Sequence, residues 1–131
     1  MENEIIDLRD LMIMIKEKKG VEATLAMEYD CKIEVGNLEP LIKIINYAIN
    51  FINQLAEQPM QISLYAGNKV HTLVFTTFTS KSEFPPISEK VSQALEPYQG
   101  TVEFDGEPGK FAQIKLAFPR AGTIVEADGH I

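Results

Sequence analysis

Residues 38–53 constrain the fold of this chain more than any other stretch. Leu38, Leu41, Ile42, Ile45, Ile49 and Ile52 recur at helical spacing and make one apolar stripe. Asn46, Asn50 and Asn53 recur at i, i+4 and i+7, so they share another face of the same helix. Asparagine is a mediocre helix former because its amide competes for backbone hydrogen bonds. Three in line on one helix ask for a reason. A row of amides can hold a metal–phosphate group, present a surface to a partner, or face water.

Composition narrows the choices. The 131 residues suffice for one domain that buries roughly two-thirds of its unfolded surface. The net charge is −7 and there is no basic cluster, which argues against nucleic acid and against anionic membranes as partners. No apolar run is long enough to span a bilayer. The acidic start Met1-Glu2-Asn3-Glu4 does not read as a secretory signal. A single cysteine, Cys31, allows no internal disulfide and fits a reducing, cytoplasmic setting. One Cys and two distant His residues, His71 and His130, give no thiolate–imidazole metal cluster.

The pattern of elements predicts an α+β chain. Residues 3–19 read as an amphipathic helix with Ile5, Leu8, Leu11, Met12 and Ile15 inward, ended by Gly20. Residues 21–29 and 32–35 read as strands. Asn37 is the expected N-cap of the long helix, Pro40 is tolerated in its first turn, and the helix is expected to run to about Glu57. Residues 60–66 and 70–78 form a predicted hairpin about Gly67-Asn68. A loop over 80–86, a helix over 87–98 and a second hairpin follow, the last pairing 101–104 with 111–118 around a turn at 105–109. The expected architecture is a two-layer α/β sandwich with a mixed, mostly antiparallel sheet, one core over residues 5–119 and a tail over 120–131.

In this order the pieces resemble the ATP-binding domain of bacterial histidine kinases, a fold shared with DNA gyrase, the heat-shock chaperone ATPase and the mismatch-repair ATPases. Asp7-Leu8-Arg9-Asp10-Leu11 and Lys18-Lys19-Gly20-Val21 are similar to the helix and strand entry of that family. Val35-Gly36-Asn37 stands where it has a Gly-Asp pair. The segment Leu41-Ile42-Lys43-Ile44-Ile45-Asn46-Tyr47-Ala48-Ile49-Asn50 resembles the N-box. Gly100-Thr101-Val102-Glu103-Phe104 and Phe111-Ala112-Gln113-Ile114-Lys115-Leu116-Ala117-Phe118-Pro119 resemble its two late strands. The resemblance implies that Asn50 is the magnesium-coordinating asparagine, with Asn46 its partner one turn earlier and Asn53 on the same face. A hard cation accepts an amide oxygen.

Two motifs of the resembled family are missing. It holds adenine through an aspartate in a D-x-G-x-G motif, but Leu73-Val74-Phe75-Thr76-Thr77-Phe78-Thr79-Ser80 has neither carboxylate nor glycine. A threonine hydroxyl offers a weaker bond than a charge-assisted one, a loss of about 1.5–3 kcal/mol in a pocket. The glycine-rich hinge of the ATP lid is replaced by Ser80-Lys81-Ser82-Glu83-Phe84-Pro85-Pro86, with no flexible backbone to nest phosphates. No histidine lies on the N-terminal helix to accept a phosphoryl group.

The resulting expectation is a degenerate, non-catalytic ATPase-type domain, without cofactor, that acts by protein contact with a kinase or response regulator in bacterial signalling. The alternative is a divergent binder that keeps weak Mg²⁺–ATP affinity through Asn46 and Asn50. A third reading is a homodimer that exchanges residues 119–131. Other residues have plain roles: Cys31 a half-buried strand end, His71 an exposed strand residue, Met12 and Met14 core filler, Asp7 and Asp10 at a favourable helix start.

Overall fold

A computed structural model describes residues 3–122. The elements run β1 (Glu4–Asp7), α1 (Leu8–Lys19), β2 (Ala23–Met27), β3 (Lys32–Val35), α2 (Leu38–Leu55), β4 (Met60–Tyr65), β5 (Val70–Phe78), α3 (Glu89–Leu95), a 3₁₀ turn (Glu96–Tyr98), β6 (Thr101–Glu107) and β7 (Phe111–Pro119). Five strands lie side by side in the order β2-β4-β5-β7-β6. β2 is parallel to β4, a pairing that needs a crossover, and α2 lies within that crossover. The other neighbours in this sheet are antiparallel. β1 and β3 form a separate antiparallel pair. The fold is the expected α+β sandwich, a mixed sheet with helices on one face.

Alternation along the strands decides which face the helices cover. Leu25, Ile62, Phe75, Ile114 and Phe104 form one row across all five strands, and Met27, Leu64, Leu73, Leu116 and Val102 form the next. These rows pack with α2 into one apolar cluster. Helix α2 buries eight side chains, among them Leu41, Ile45, Ile49 and Ile52. Burying one such side chain stabilises by about 1.5–3 kcal/mol. The poor helix propensity of an isoleucine or asparagine costs only about 0.7 kcal/mol or less. Burial therefore wins, and a segment rich in β-branched residues folds as a helix.

The start of α2 is built from two caps. The Asn37 side chain accepts a hydrogen bond from the Glu39 N–H at 3.1 Å. The hydroxyl of Tyr98, a residue only 7% exposed, accepts from the Leu41 N–H at 3.0 Å and donates to the Asn37 carbonyl. That hydroxyl stands between the carbonyl and the N–H that an ordinary helix would join directly. It ties the 3₁₀ turn after α3 to the first turn of α2. Pro97 helps to set that turn, and Gln99 leaves it with a left-handed φ of 54°.

Several expectations are corrected. Residues 4–7 are a strand, so the first helix begins at Leu8 with Asp7 as its N-cap, and Ile5 is 62% exposed instead of lying in the buried stripe. A four-residue strand with a distant partner leaves little periodicity to read. The helix expected over 87–98 begins at Glu89, capped by Ser88, and tightens to 3₁₀ at Glu96. Cys31 is fully buried, not half-buried, and burial followed by the charges of Asp7, Glu28 and Asp30 raises its thiol to about 11. His71 is fully buried as well, not exposed. It is in phase with Leu73 and Phe75 and so lies on the helix-facing side of β5.

Around His71 the backbone is polar. Its Nδ1 accepts from the Gly67 N–H at 3.3 Å, while Nε2 has no partner of hydrogen-bond geometry among the described residues. Arg120 reaches the Gly67 carbonyl at 3.4 Å and pairs with Asp30 at 3.2 Å. Residues after β7 fold back on the same chain: the Arg120 N–H donates to the Lys69 carbonyl and the Ala121 N–H to the Lys32 carbonyl. Of the exchange expected over 119–131, residues 123–131 lie outside those described, as does His130. Among the described residues no helix is long and apolar enough to cross a membrane.

Two stability predictions follow from this packing. Tyr98→Phe removes the bridge and should lower the unfolding free energy by about 1–3 kcal/mol in urea at unchanged slope. An unchanged midpoint would show that the bridge adds nothing. Burial, and then the Arg120 charge, hold the His71 imidazole below its ordinary value. The unfolded chain therefore takes up this proton first, and His71 costs stability as pH falls below about 6.5. His71→Gln should flatten the fall in melting temperature between about pH 7 and 5 relative to the parent. Equal slopes would reject this assignment.

Candidate functional site

The C-terminal half of α2, the end of β5 and the connection from β5 to α3 meet on the helix side of the sheet. In the family resembled by the sequence, these parts carry the nucleotide motifs. Strand parity sorts the threonines at the end of β5. Thr77 is in phase with Phe75, faces the helices and is buried. Thr76 lies on the opposite face, beside Gln61 and Gln113 in the ladder. Only Thr77 of the two can therefore meet a group on the helix side, and its hydroxyl donates to the Phe78 carbonyl at 3.2 Å. Thr79, also buried, accepts from the Lys81 N–H at 3.2 Å and so shapes the chain as it leaves β5.

The connection over residues 79–88 is tied at both ends. Glu57 accepts from the Ser80 N–H at 2.7 Å and from its hydroxyl at 2.6 Å. These two bonds hold the Glu57 carboxyl below the usual carboxylate range. Lys81 donates from Nζ to the Gln54 carbonyl at 3.0 Å, near the end of α2, where a cation suits the helix dipole. The Lys81 carbonyl accepts from the Gly109 N–H at 2.8 Å, in the β6–β7 turn. At the other end, the Ser88 N–H donates to the Tyr47 hydroxyl at 3.0 Å. Ser88 is itself the N-cap of α3.

Between these ties Phe84 turns inward. Its ring lies edge-on to Phe104, centroids 5.5 Å apart and planes at 64°. Phe104 meets Phe51 of α2 at 5.7 Å and 71°, and Phe51 meets Tyr47 at 6.1 Å. Such tilted pairs contribute about 0.5–1.5 kcal/mol each beyond their buried area. Gly106 makes room for the loop ring: a Cβ there would stand 3.0 Å from Phe84 Cε2 and 3.1 Å from the Phe111 carbonyl oxygen. The aromatic series joins α2, β6 and the loop.

The three asparagines are on α2 as the sequence implied, yet they border different surroundings. Asn46 is half-buried in a depression of about 260 Å³ between α1 and α2, with Met14, Lys18, Lys19 and Ile42. Asn50 is exposed beside Tyr47, Phe51, Gln54, Pro85 and Pro86, in a depression of about 230 Å³. Asn53 is exposed and borders neither. Among the described residues no three His, Cys, Asp or Glu side chains converge as a metal site.

Sequence reasoning did not single out Glu57, Tyr47 or Phe104, and it treated Phe84 as part of a polar loop. The one available signal was an aromatic residue followed by two prolines in an otherwise polar connection. The pinning by Glu57 joins residues 23 positions apart and has no local pattern.

No family model matches the sequence, and no curated protein does. Solved structures do match. The NMR structure of the histidine kinase domain of the E. coli osmosensor EnvZ superposes with a TM-score of 0.71 at 11% identity, covering 100% of this chain and 97% of that one. The ATP binding domain of PrrB from Mycobacterium tuberculosis gives 0.71 at 15% identity, covering 93% and 100%. The Acinetobacter baumannii histidine kinase AdeS gives 0.68 at 10%, covering 93% and 69%. At such low identity the likeness speaks for the backbone and its topology. The chain has the fold of the histidine kinase ATP-binding domain.

Proposed function

We propose that this chain is a non-catalytic relative of the histidine kinase ATP-binding domain that works by protein contact in a signalling system, with a kinase or response regulator as its partner. The observation that carries this reading is the seat of Phe84. Its ring stands against Phe104 and Gly106, and the loop that bears it is tied to Glu57, Gln54, Tyr47 and Gly109. A purine entering between α2 and the end of β5 would have to displace that loop.

The donor set at the end of β5 argues the same way. Thr77 and Thr79 already use their hydroxyls locally, and the segment from Leu73 to Ser80 holds no carboxylate for an adenine amino group. Phosphates would find Asn50 and Asn46 on α2, but these amides border separate depressions, and no glycine in residues 79–88 offers a flexible run of N–H groups. These residues fit a magnesium–nucleotide complex poorly. Loss of the charge-assisted contact alone weakens affinity about tenfold or more.

A calorimetric titration with Mg²⁺–ATP tests the reading. The expected outcome is no saturable heat up to about 1 mM nucleotide. A low-micromolar dissociation constant abolished by Asn50→Ala would overturn the proposal in favour of a divergent nucleotide binder.

A further inference from the structure

We infer that the groove along α2 and α3 is a docking site for an acidic amphipathic helix of a partner protein. This rests on the protein-contact reading above and names the surface and the chemistry of its occupant. Pro40, Ile44, Tyr47, Asn50 and Gln54 follow one another at intervals of three or four, with Lys43 beside Ile44, and so form a single stripe of α2. Along one side of that stripe run Pro85, Pro86 and the first turns of α3. The two depressions there, of about 310 and 230 Å³, lie next to each other on either side of Tyr47. The stripe covers about 21 Å at 1.5 Å per residue, the length of a helix of about four turns.

The charge of the groove selects the occupant. The chain carries −7 overall, yet among the described residues the only charged ones lining either depression are Lys43 and Lys90. Lys43 has a loose 3.6 Å contact with Glu39 on the exposed surface, and no ion pair holds Lys90 among the described residues. The floor between them is apolar, made by Pro40, Ile44, Val91 and Ala94. Two cations over an apolar floor match a helix with an apolar ridge and carboxylates on its flanks. A second copy of this chain, itself strongly acidic, would gain from the lysines but bring like charge elsewhere. A separate partner segment is thus the better occupant.

Seating such a helix would not require the loop to move. Phe84 points to the sheet, while Pro85 and Pro86 form the wall of the groove and the Ser88–Tyr47 bond fixes that wall to α2. The rigid wall lowers the ordering cost of docking.

The test uses the full chain and two fluorescein-labelled helical peptides of about 15 residues, each with a leucine ridge, one flanked by glutamates and the other by lysines. Anisotropy should show saturable binding of the glutamate peptide, about tenfold or more tighter than the lysine peptide. The double variant Lys43→Glu/Lys90→Glu, at two exposed positions, should reverse the preference. Amide chemical shifts should move along residues 40–54 and 85–94. Equal affinity for both peptides, indifference to the double variant, or shifts confined to the outer sheet face would overturn the inference. So would a dimer, seen by light scattering, that the double variant dissolves, because the groove would then hold a second copy. Repeating the titration with Mg²⁺–ATP separates the two levels. Displacement of the peptide by nucleotide would defeat the filled-site reading and leave the groove standing. Absence of both nucleotide and peptide binding would defeat the groove alone.

Discussion

The burial of one stripe of α2 against the sheet is the constraint on which the other parts depend. Leu41, Ile45, Ile49 and Ile52 are fully buried, and they fix the rotation of the helix about its axis. That rotation decides what the opposite side can offer. It exposes Asn50 and Asn53, leaves Asn46 half-covered by α1, and turns Tyr47 and Gln54 toward the connection after β5. The Tyr98 bridge then sets the height of the helix, because it grips the first turn from the far side of α3. With rotation and height both set, residues 79–88 have a rigid wall to close upon.

Closing of that connection illustrates how several modest terms hold a loop. The Glu57 and Lys81 contacts are exposed, and exposed polar contacts of this kind contribute little individually. The aromatic contacts of Phe84 and Phe104 add a dry component. Gly106 matters because it leaves a gap: any larger residue would push against both the Phe84 ring and the carbonyl of Phe111. The loop is thus fixed by shape, with hydrogen bonds choosing its path.

Much of this was legible in the sequence, and the failures have physical causes. The boundaries of β3 and β5 and the Asn37 cap were read directly, because alternation and capping chemistry are local. β1 reads as helix in the sequence because four residues running straight into an amphipathic segment show no period of their own. Alternation with Val70 and Thr72 places His71 on one face of its strand, and the sequence reading takes that face as the exposed one; the face shared with Leu73 and Phe75 is the buried one. The same parity distinguishes Thr77 from Thr76. The asparagine row was visible, but the different neighbours of Asn46 and Asn50 come from α1 and from Pro85-Pro86, which no spacing along α2 can reveal. Phe84 and the Glu57 clamp are tertiary facts of the same kind.

The position of β7 in the sheet has a consequence for biosynthesis. β7 lies between β5 and β6 and is hydrogen-bonded to both, so those two strands have no direct pairing with each other. Until residues 111–119 have emerged from the ribosome, the nascent chain holds β2, β4 and β5 on one side and an orphan β6 on the other. The apolar rows that α2 covers are incomplete for that interval, and a bare flank of β5 is open to chance pairing with other polypeptides. The exposure therefore ends only once β7 has emerged and paired with both neighbours.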